Sequence, residues 1–257
     1  MDYKMDKRLE LLLNEFDEIF SNMKELHFLD DKDANIFLNK LEEYPHAFVL
    51  GCLMDVQISS KKAWIIPYKI YKDLNNFDIY ELNKKGLDYY KNFFNKNKLH
   101  RFNNDKAEIF YNAIERIIKY YDGDASKIWK DNPSSSSIVY KFLEFRGCGQ
   151  KVANMAANTL ANQFKIKMND YSSIDISADV HVIRVMYRLG FIEFERYNQL
   201  ENEKRKLLVI YKARELNPQF PGKIDFVCWK LGRDYCHENN PDCNKCYMNK
   251  VCAKMIN

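Results

Sequence analysis

Residues 236–252 read CHENNPDCNKCYMNKVC, four cysteines in the spacing C-x6-C-x2-C-x5-C. Thiolates at Cys236, Cys243, Cys246 and Cys252 fall within 17 residues, so short loops suffice to bring them onto one metal centre. Pro241, Asp242 and Asn244 supply the turns between them. Ligand type alone admits a structural zinc ion and an iron–sulfur cluster equally. Four clustered free thiols would be an oxidation liability, which argues for a metal. Cys52, Cys148 and Cys228 stand in apolar contexts and read as packing residues.

Outward from this segment the chain reads as helical. Its 257 residues are 46% apolar, enough to bury a real core, and contain only 8 glycines and 6 prolines. Helical periodicity recurs along the length, so the expected class is all-α. The net charge of +4 and pI near 8.5 permit a nucleic-acid partner without requiring one. The first ten residues are charged and lack the apolar core of a secretion signal. The longest apolar run, 47–54, is too short for a bilayer. An intracellular protein with reduced thiols and no membrane segment is expected.

One amphipathic helix is predicted over 5–22, with Leu9, Leu12, Leu13, Phe16, Ile19 and Phe20 on one face. Two more are predicted within 44–72, joined near 55–60. Another spans 105–121, with Ile109, Ala113, Ile114, Ile117, Ile118 and Tyr121 inward and Asp122-Gly123-Asp124 as its stop. Short helices follow over 138–145 and 150–161. Residues 162–178 allow at most a brief extended piece at Ile174 and Ile176. Helices are then predicted over 180–189, 197–213 and 223–231.

Between the helices at 138–145 and 150–161 lies Gly147-Cys148-Gly149. Two glycines at i and i+2 permit a turn with positive φ and a close ligand approach. The helix that follows presents unpaired N–H groups suited to a phosphate. A GxG before a helix is most often a plain turn. Lys151, on a face with Asn154 and Asn158, reads equally as a solvated surface lysine. Asp179 stands directly before an apolar-periodic helix, the place of an ordinary N-cap.

Three segments carry a resemblance to known proteins. The cysteine spacing resembles the [4Fe–4S] loop of the endonuclease III and adenine-glycosylase families. Residues 145–153, FRGCGQKVA, resemble the helix-hairpin-helix signature LPGVGxKTA, with Phe145 and Arg146 in place of Leu-Pro. Residues 176–185, ISADVHVIRV, resemble the motif VDTHIxRV or VDVHV. Softer likenesses are YPHAFVL through DVQIS, residues 44–59, to PFELLIAVLLSAQAT, and FNNDKA, residues 102–107, to Y/F-N-x-x-K-A. On these grounds the chain is similar to the helix-hairpin-helix (HhH-GPD) DNA glycosylases over about residues 40–254.

The resemblance implies two helical lobes with a cleft between them. One is a six-helix barrel, residues 45–161, with the helix-hairpin-helix at about 138–161. The other joins 1–44 to 162–257 and holds the cluster loop, 236–252. It implies a [4Fe–4S] cluster on Cys236, Cys243, Cys246 and Cys252, with structural zinc as the alternative. It implies a monomer acting on double-stranded DNA that carries a damaged or mismatched base or an abasic site.

Lys151 matches the lysine that attacks the sugar C1′ and forms a Schiff base in bifunctional members, giving base excision and AP lyase β-elimination. Asp179 matches the catalytic carboxylate, which stabilises positive charge on the sugar. Gly147, Gly149 and Gln150 fall at the phosphate-gripping hairpin. Gln57 matches a glutamine that fills the space of the flipped nucleotide, and His181 is DNA-proximal. Lys151 and Asp179 stand further apart than in the family, the excess falling in an insertion at 163–173. A monofunctional glycosylase using water, a non-catalytic metal-stabilised DNA-binding module and a ferredoxin-like carrier are the rival readings. Lys151 argues against the first, Asp179 and Lys151 together against the second, and the long helical body against the third.

Overall fold

The computed structural model of the protein describes residues 6–21, 29–193 and 199–255. Among the described residues are twelve α-helices, two 3-10 turns and no β-strand. The all-helical expectation holds. In chain order the helices are α1 (Lys7–Ser21), α2 (Lys32–Asn39), α3 (Pro45–Met54), α4 (Ser60–Leu74), α5 (Ile79–Lys84) and α6 (Gly86–Asn97). They continue with α7 (Asn103–Tyr121), α8 (Ser135–Leu143), α9 (Gln150–Asn162), α10 (Val180–Arg188), α11 (Asn202–Leu216) and α12 (Asp225–Asp234). The chain divides into two compact units. The first comprises Met1–Met23, Ser134–Ser136 and Ala157–Asn257; the second comprises Lys24–Pro133 and Ser137–Ala156.

The first unit is built on apolar stripes at helical spacing. Leu9, Leu12, Phe16 and Phe20 of α1 are buried together with Val182, Val185 and Met186 of α10 and Val227, Cys228 and Leu231 of α12. Leu13 and Ile19 of α1 are only partly buried against this core. Helices α10 and α12 approach so closely at Gly232 that an added Cβ would lie 2.8 Å from His181 Cβ and 3.1 Å from its carbonyl oxygen. Glycine is therefore what allows α10 to seat against α12. The helix expected over 197–213 begins later, at Asn202, and runs to Leu216; residues 197 and 198 lie outside the described residues.

The second unit is organised around α3, whose ten residues are all buried. A helix that is apolar all round belongs at the centre of a domain. Pro45 opens it at a position where its missing N–H costs nothing. Trp64 of α4 lies against Gly51 of α3, where an added Cβ would come within 2.7 Å of the indole. Phe48 packs with Trp64, Trp129 and Phe142, ring centroids 5.8–6.3 Å apart. Helix α7 buries Ile109, Ala113, Ile114, Ile117 and Tyr121. Ile118, expected inward, is half-buried. Asp122 in the left-handed region and Gly123 at φ +79° close α7, with the Gly123 N–H donating to Ile117 O.

Candidate functional site

The hairpin between α8 and α9 lies in the second unit. Gly147 has φ +79°, and a Cβ there would meet Ile109 Cδ1 at 2.6 Å, so both conformation and packing require glycine. Gly149 differs from the expectation. Its φ lies outside the left-handed region and nothing stands within 4 Å of where a Cβ would be. It contributes clearance beside the start of α9, not a turn. The Gly149 carbonyl accepts the Ala153 N–H at 3.0 Å, placing Gly149 at the helix entrance. The residues replacing the signature's Leu-Pro act separately: Phe145 is buried, stacked on Tyr121, while Arg146 pairs with Glu108 at 3.2 Å. Burial pushes the Cys148 thiol up to about 12, in keeping with a packing residue.

Gln150 and Lys151 open α9 and both are exposed. Asn154 and Asn158, predicted to share the Lys151 face, are buried and structurally engaged: Asn154 Nδ2 donates to Gln150 O at 2.9 Å and Asn158 Nδ2 to Gly222 O at 2.8 Å. The second unit also holds a carboxylate that the motifs do not include. Asp55, at the end of α3, accepts from Trp64 Nε1 at 3.1 Å and Ser60 Oγ at 3.3 Å. Burial raises its pKa, and the positive charge of Lys151 acts against that rise. Gln57, two residues on, is exposed with φ +57°. The neighbouring Val56 carbonyl is held by His100 Nε2 at 2.9 Å, which fixes the loop that carries Gln57.

Asp179 belongs to the first unit. It is the N-cap of α10: one carboxylate oxygen accepts the N–H groups of His181 and Val182, both at 2.9 Å, and its backbone is extended. The cap fixes the side chain, and the unpaired charge at a helix start favours an anion there. His181 Nδ1 lies 2.9 Å from Arg184 Nη2. A guanidinium only donates, so Nδ1 is the acceptor and the imidazole hydrogen sits on Nε2. Arg184 also donates to Cys236 O at 2.7 Å and Gly232 O at 3.0 Å.

The four cysteines of the array are half-buried free thiols that line one pocket of the first unit, together with Arg188, Leu231 and Met248. Arg188, ending α10, braces its rim: its guanidinium donates to His237 O at 2.6 Å and Glu238 O at 2.9 Å and lies 3.6 Å from Cys236 Sγ. Burial raises the pKa values of the Cys246 and Cys252 thiols, and the charges of the other array cysteines add to the rise. Among the described residues no three His, Cys, Asp or Glu side chains are grouped as ligands of a single ion.

Asp225, the first residue of α12, is a further carboxylate outside the motifs. It is buried and accepts the Ser177 N–H at 3.0 Å. Burial pushes it up to about 7; the Ser177 hydrogen bonds oppose the rise and the nearby Asp179 adds to it. In all, Asp179, His181 and the cysteine pocket lie in one unit, and Gln57, Gly147, Gly149, Gln150 and Lys151 in the other.

No family model and no curated protein sequence matches the chain. Solved structures do. A trapped endonuclease III–DNA covalent intermediate, an estranged-adenine complex, is 16% identical with a TM-score of 0.63, covering 97% of this chain and 96% of that one. A thermostable thymine-DNA glycosylase is 15% identical with a TM-score of 0.63, covering 96% of each chain. These matches cover nearly the whole of each chain, so this chain has the fold of the endonuclease III-like helix-hairpin-helix DNA glycosylases.

Proposed function

We propose that the protein is a base-excision-repair DNA glycosylase with AP lyase activity, using Lys151 as nucleophile and Asp179 as the electrostatic carboxylate. The observation that carries this reading is the exposed amine of Lys151 on the first turn of α9, directly after the hairpin. A substrate nucleotide flipped out of the duplex presents C1′ to that amine. Attack forms the N–C1′ bond as the glycosidic bond breaks and the base departs with its electron pair. Ring opening then leaves a Schiff base, from which loss of a C2′ proton expels the 3′ phosphate. Asp179, held by two amide hydrogen bonds, stabilises the cationic sugar without having to reorganise.

The hairpin and the N–H groups opening α9 would grip a backbone phosphate, with Gly149 leaving the approach clear. Gln57, on its fixed loop, would occupy the space of the flipped nucleotide. The proposed partner is double-stranded DNA with a damaged base, a mismatch or an abasic site, bound by an intracellular monomer. No helix among the described residues is long and apolar enough to cross a membrane.

Cys236, Cys243, Cys246 and Cys252 would hold a [4Fe–4S] cluster, a structural group that orders the 236–252 loop. The four thiols share one pocket without meeting at a single-ion position. The C-x6-C-x2-C-x5-C spacing is what favours a cluster over zinc, since four thiolates can serve either. Iron and acid-labile sulfide in stoichiometric amounts support the cluster; zinc alone refutes it.

The decisive experiment is borohydride trapping on abasic-site DNA. Wild type should form a covalent complex and Lys151→Ala should not. Excision of a base by wild type with no trapping would instead establish the monofunctional reading, in which water attacks with Asp179 as base.

A further inference from the structure

Buried carboxylates are costly, and a well-packed apolar residue in their place is often neutral or stabilising. Asp225 is therefore a residue whose presence asks for a reason. It does not serve its own helix: the backbone N–H it accepts comes from Ser177, 48 residues earlier, and Asn158 of α9 adds a side-chain hydrogen bond. The Ser177 carbonyl in turn accepts the N–H of Asp179. One residue thus joins the buried carboxylate to the backbone of the half-buried one. The surrounding chain is pinned from the other side as well, where Gly222 N–H donates to Ile174 O at 2.7 Å and Asn158 holds Gly222 O.

We propose that Asp225 is a positioning residue for Asp179: through the backbone of Ser177 it holds the turn that presents the Asp179 cap, and its negative charge reinforces the field there. This rests on the assignment of Asp179 made above. A second anion behind the first strengthens the stabilisation of a cationic sugar in a site of low polarity. The titratable groups facing Asp225 are Asp179 and, one turn along α12, the Cys228 thiol. Charges on the neighbouring elements are matched among themselves: Lys223 with Asp17 at 2.8 Å, Lys230 with Glu15 at 3.4 Å and Arg214 with Asp175 at 2.7 Å. Among the described residues no cation is paired with Asp225, and with its pKa at about 7 its charge responds to pH in the working range.

Asp225→Asn keeps the shape and an acceptor for the Ser177 N–H while removing the charge, so it separates positioning from folding. The amide resonances of Ser177, His181 and Val182 are followed by NMR from pH 5.5 to 8.5 in both proteins. In wild type all three should titrate with a common midpoint near 7; in Asp225→Asn they should be flat over that range. His181 and Val182 resonances that stay still in wild type, or titrate identically in the variant, overturn the proposal. On a lesion excised by wild type, Asp225→Asn should lower the single-turnover rate at pH 8 by about tenfold or more at unchanged DNA affinity. A rate equal to wild type also overturns it. Full activity in Asp179→Asn would instead refute the role of Asp179 under the proposed function, and the amide titration would still decide whether Asp225 governs that turn.

Discussion

Asp225→Asn also makes a quantitative stability prediction that needs no substrate. In the folded protein burial holds this carboxyl at about 7, against an ordinary 3.8. The folded state therefore binds the proton more tightly than the unfolded chain throughout that window. Stability from this group is intact below pH 3.8, falls as pH rises towards 7, and is flat above. A shift of about 3 units corresponds to about 4 kcal/mol lost across the full window. Asparagine does not titrate, so the stability of the variant minus that of wild type isolates the carboxyl from every other group. Between pH 5.5 and pH 8.5 that difference should grow in favour of the variant by about 2 kcal/mol. Urea unfolding monitored by far-UV circular dichroism at the two pH values measures it, and any fixed packing cost of the substitution cancels. A difference that stays constant to within about 0.5 kcal/mol would mean that Asp225 is solvated or paired with a cation and does not act on Asp179 through its charge.

Three further outcomes follow from other parts of the molecule. Gly147→Ala forces a left-handed conformation costing about 1–2 kcal/mol and adds the contact with Ile109, so it should lower the melting temperature and weaken binding to duplex DNA; unchanged anisotropy titrations would show that the hairpin does not hold DNA. His46 is buried on Phe77, donates from Nε2 to Phe77 O at 2.7 Å, and is depressed by burial to about 4. Because the folded pKa lies below the ordinary 6.5, stability should be full above pH 6.5 and fall by about 1.4 kcal/mol per unit as pH drops towards 4, a slope that His46→Gln should lack in urea titrations. Arg188→Met removes the donors to His237 O and Glu238 O while keeping much of the side-chain bulk; bound metal should be lost faster to a chelator than from wild type, and equal rates would rule out Arg188 as the brace of the cysteine loop.

The features legible in the sequence are those decided within a few residues of chain. The stripe of α1, the stop of α7 at Asp122-Gly123, the cysteine spacing and the cap at Asp179 are all local, and each lies where the sequence places it. Helix α3 falls within the helical stretch predicted over 44–72, although a helix buried on every side carries no periodicity. Helices α5 and α6 gave no such signal, because their stretch is rich in Asn and Lys and buries only Ile79, Leu82, Tyr90 and Phe94. Gly149 shows the limit from another direction: a glycine pair suggests two turns, but only Gly147 meets a neighbour that demands it.

What sequence could not supply are the residues whose chemistry is made by tertiary burial. Asp55 and Asp225 are ordinary acids beside apolar runs until Trp64 and Ser177 are brought against them. A motif names residues that touch the reacting atoms, and the geometry of those residues is set by groups that touch only the protein. Asp179 is held to its own helix by its cap, and the turn that presents the cap is tied through Ser177 to Asp225. What it cannot set for itself is the charge behind it. That is contributed from the start of α12, and a chain that needed only a stable helix junction would do better with asparagine there. The carboxylate at 225 thus separates two accounts of this fold: a scaffold that merely packs, which would gain from losing the charge, and one arranged to present a reinforced anion, which would lose excision by the same change.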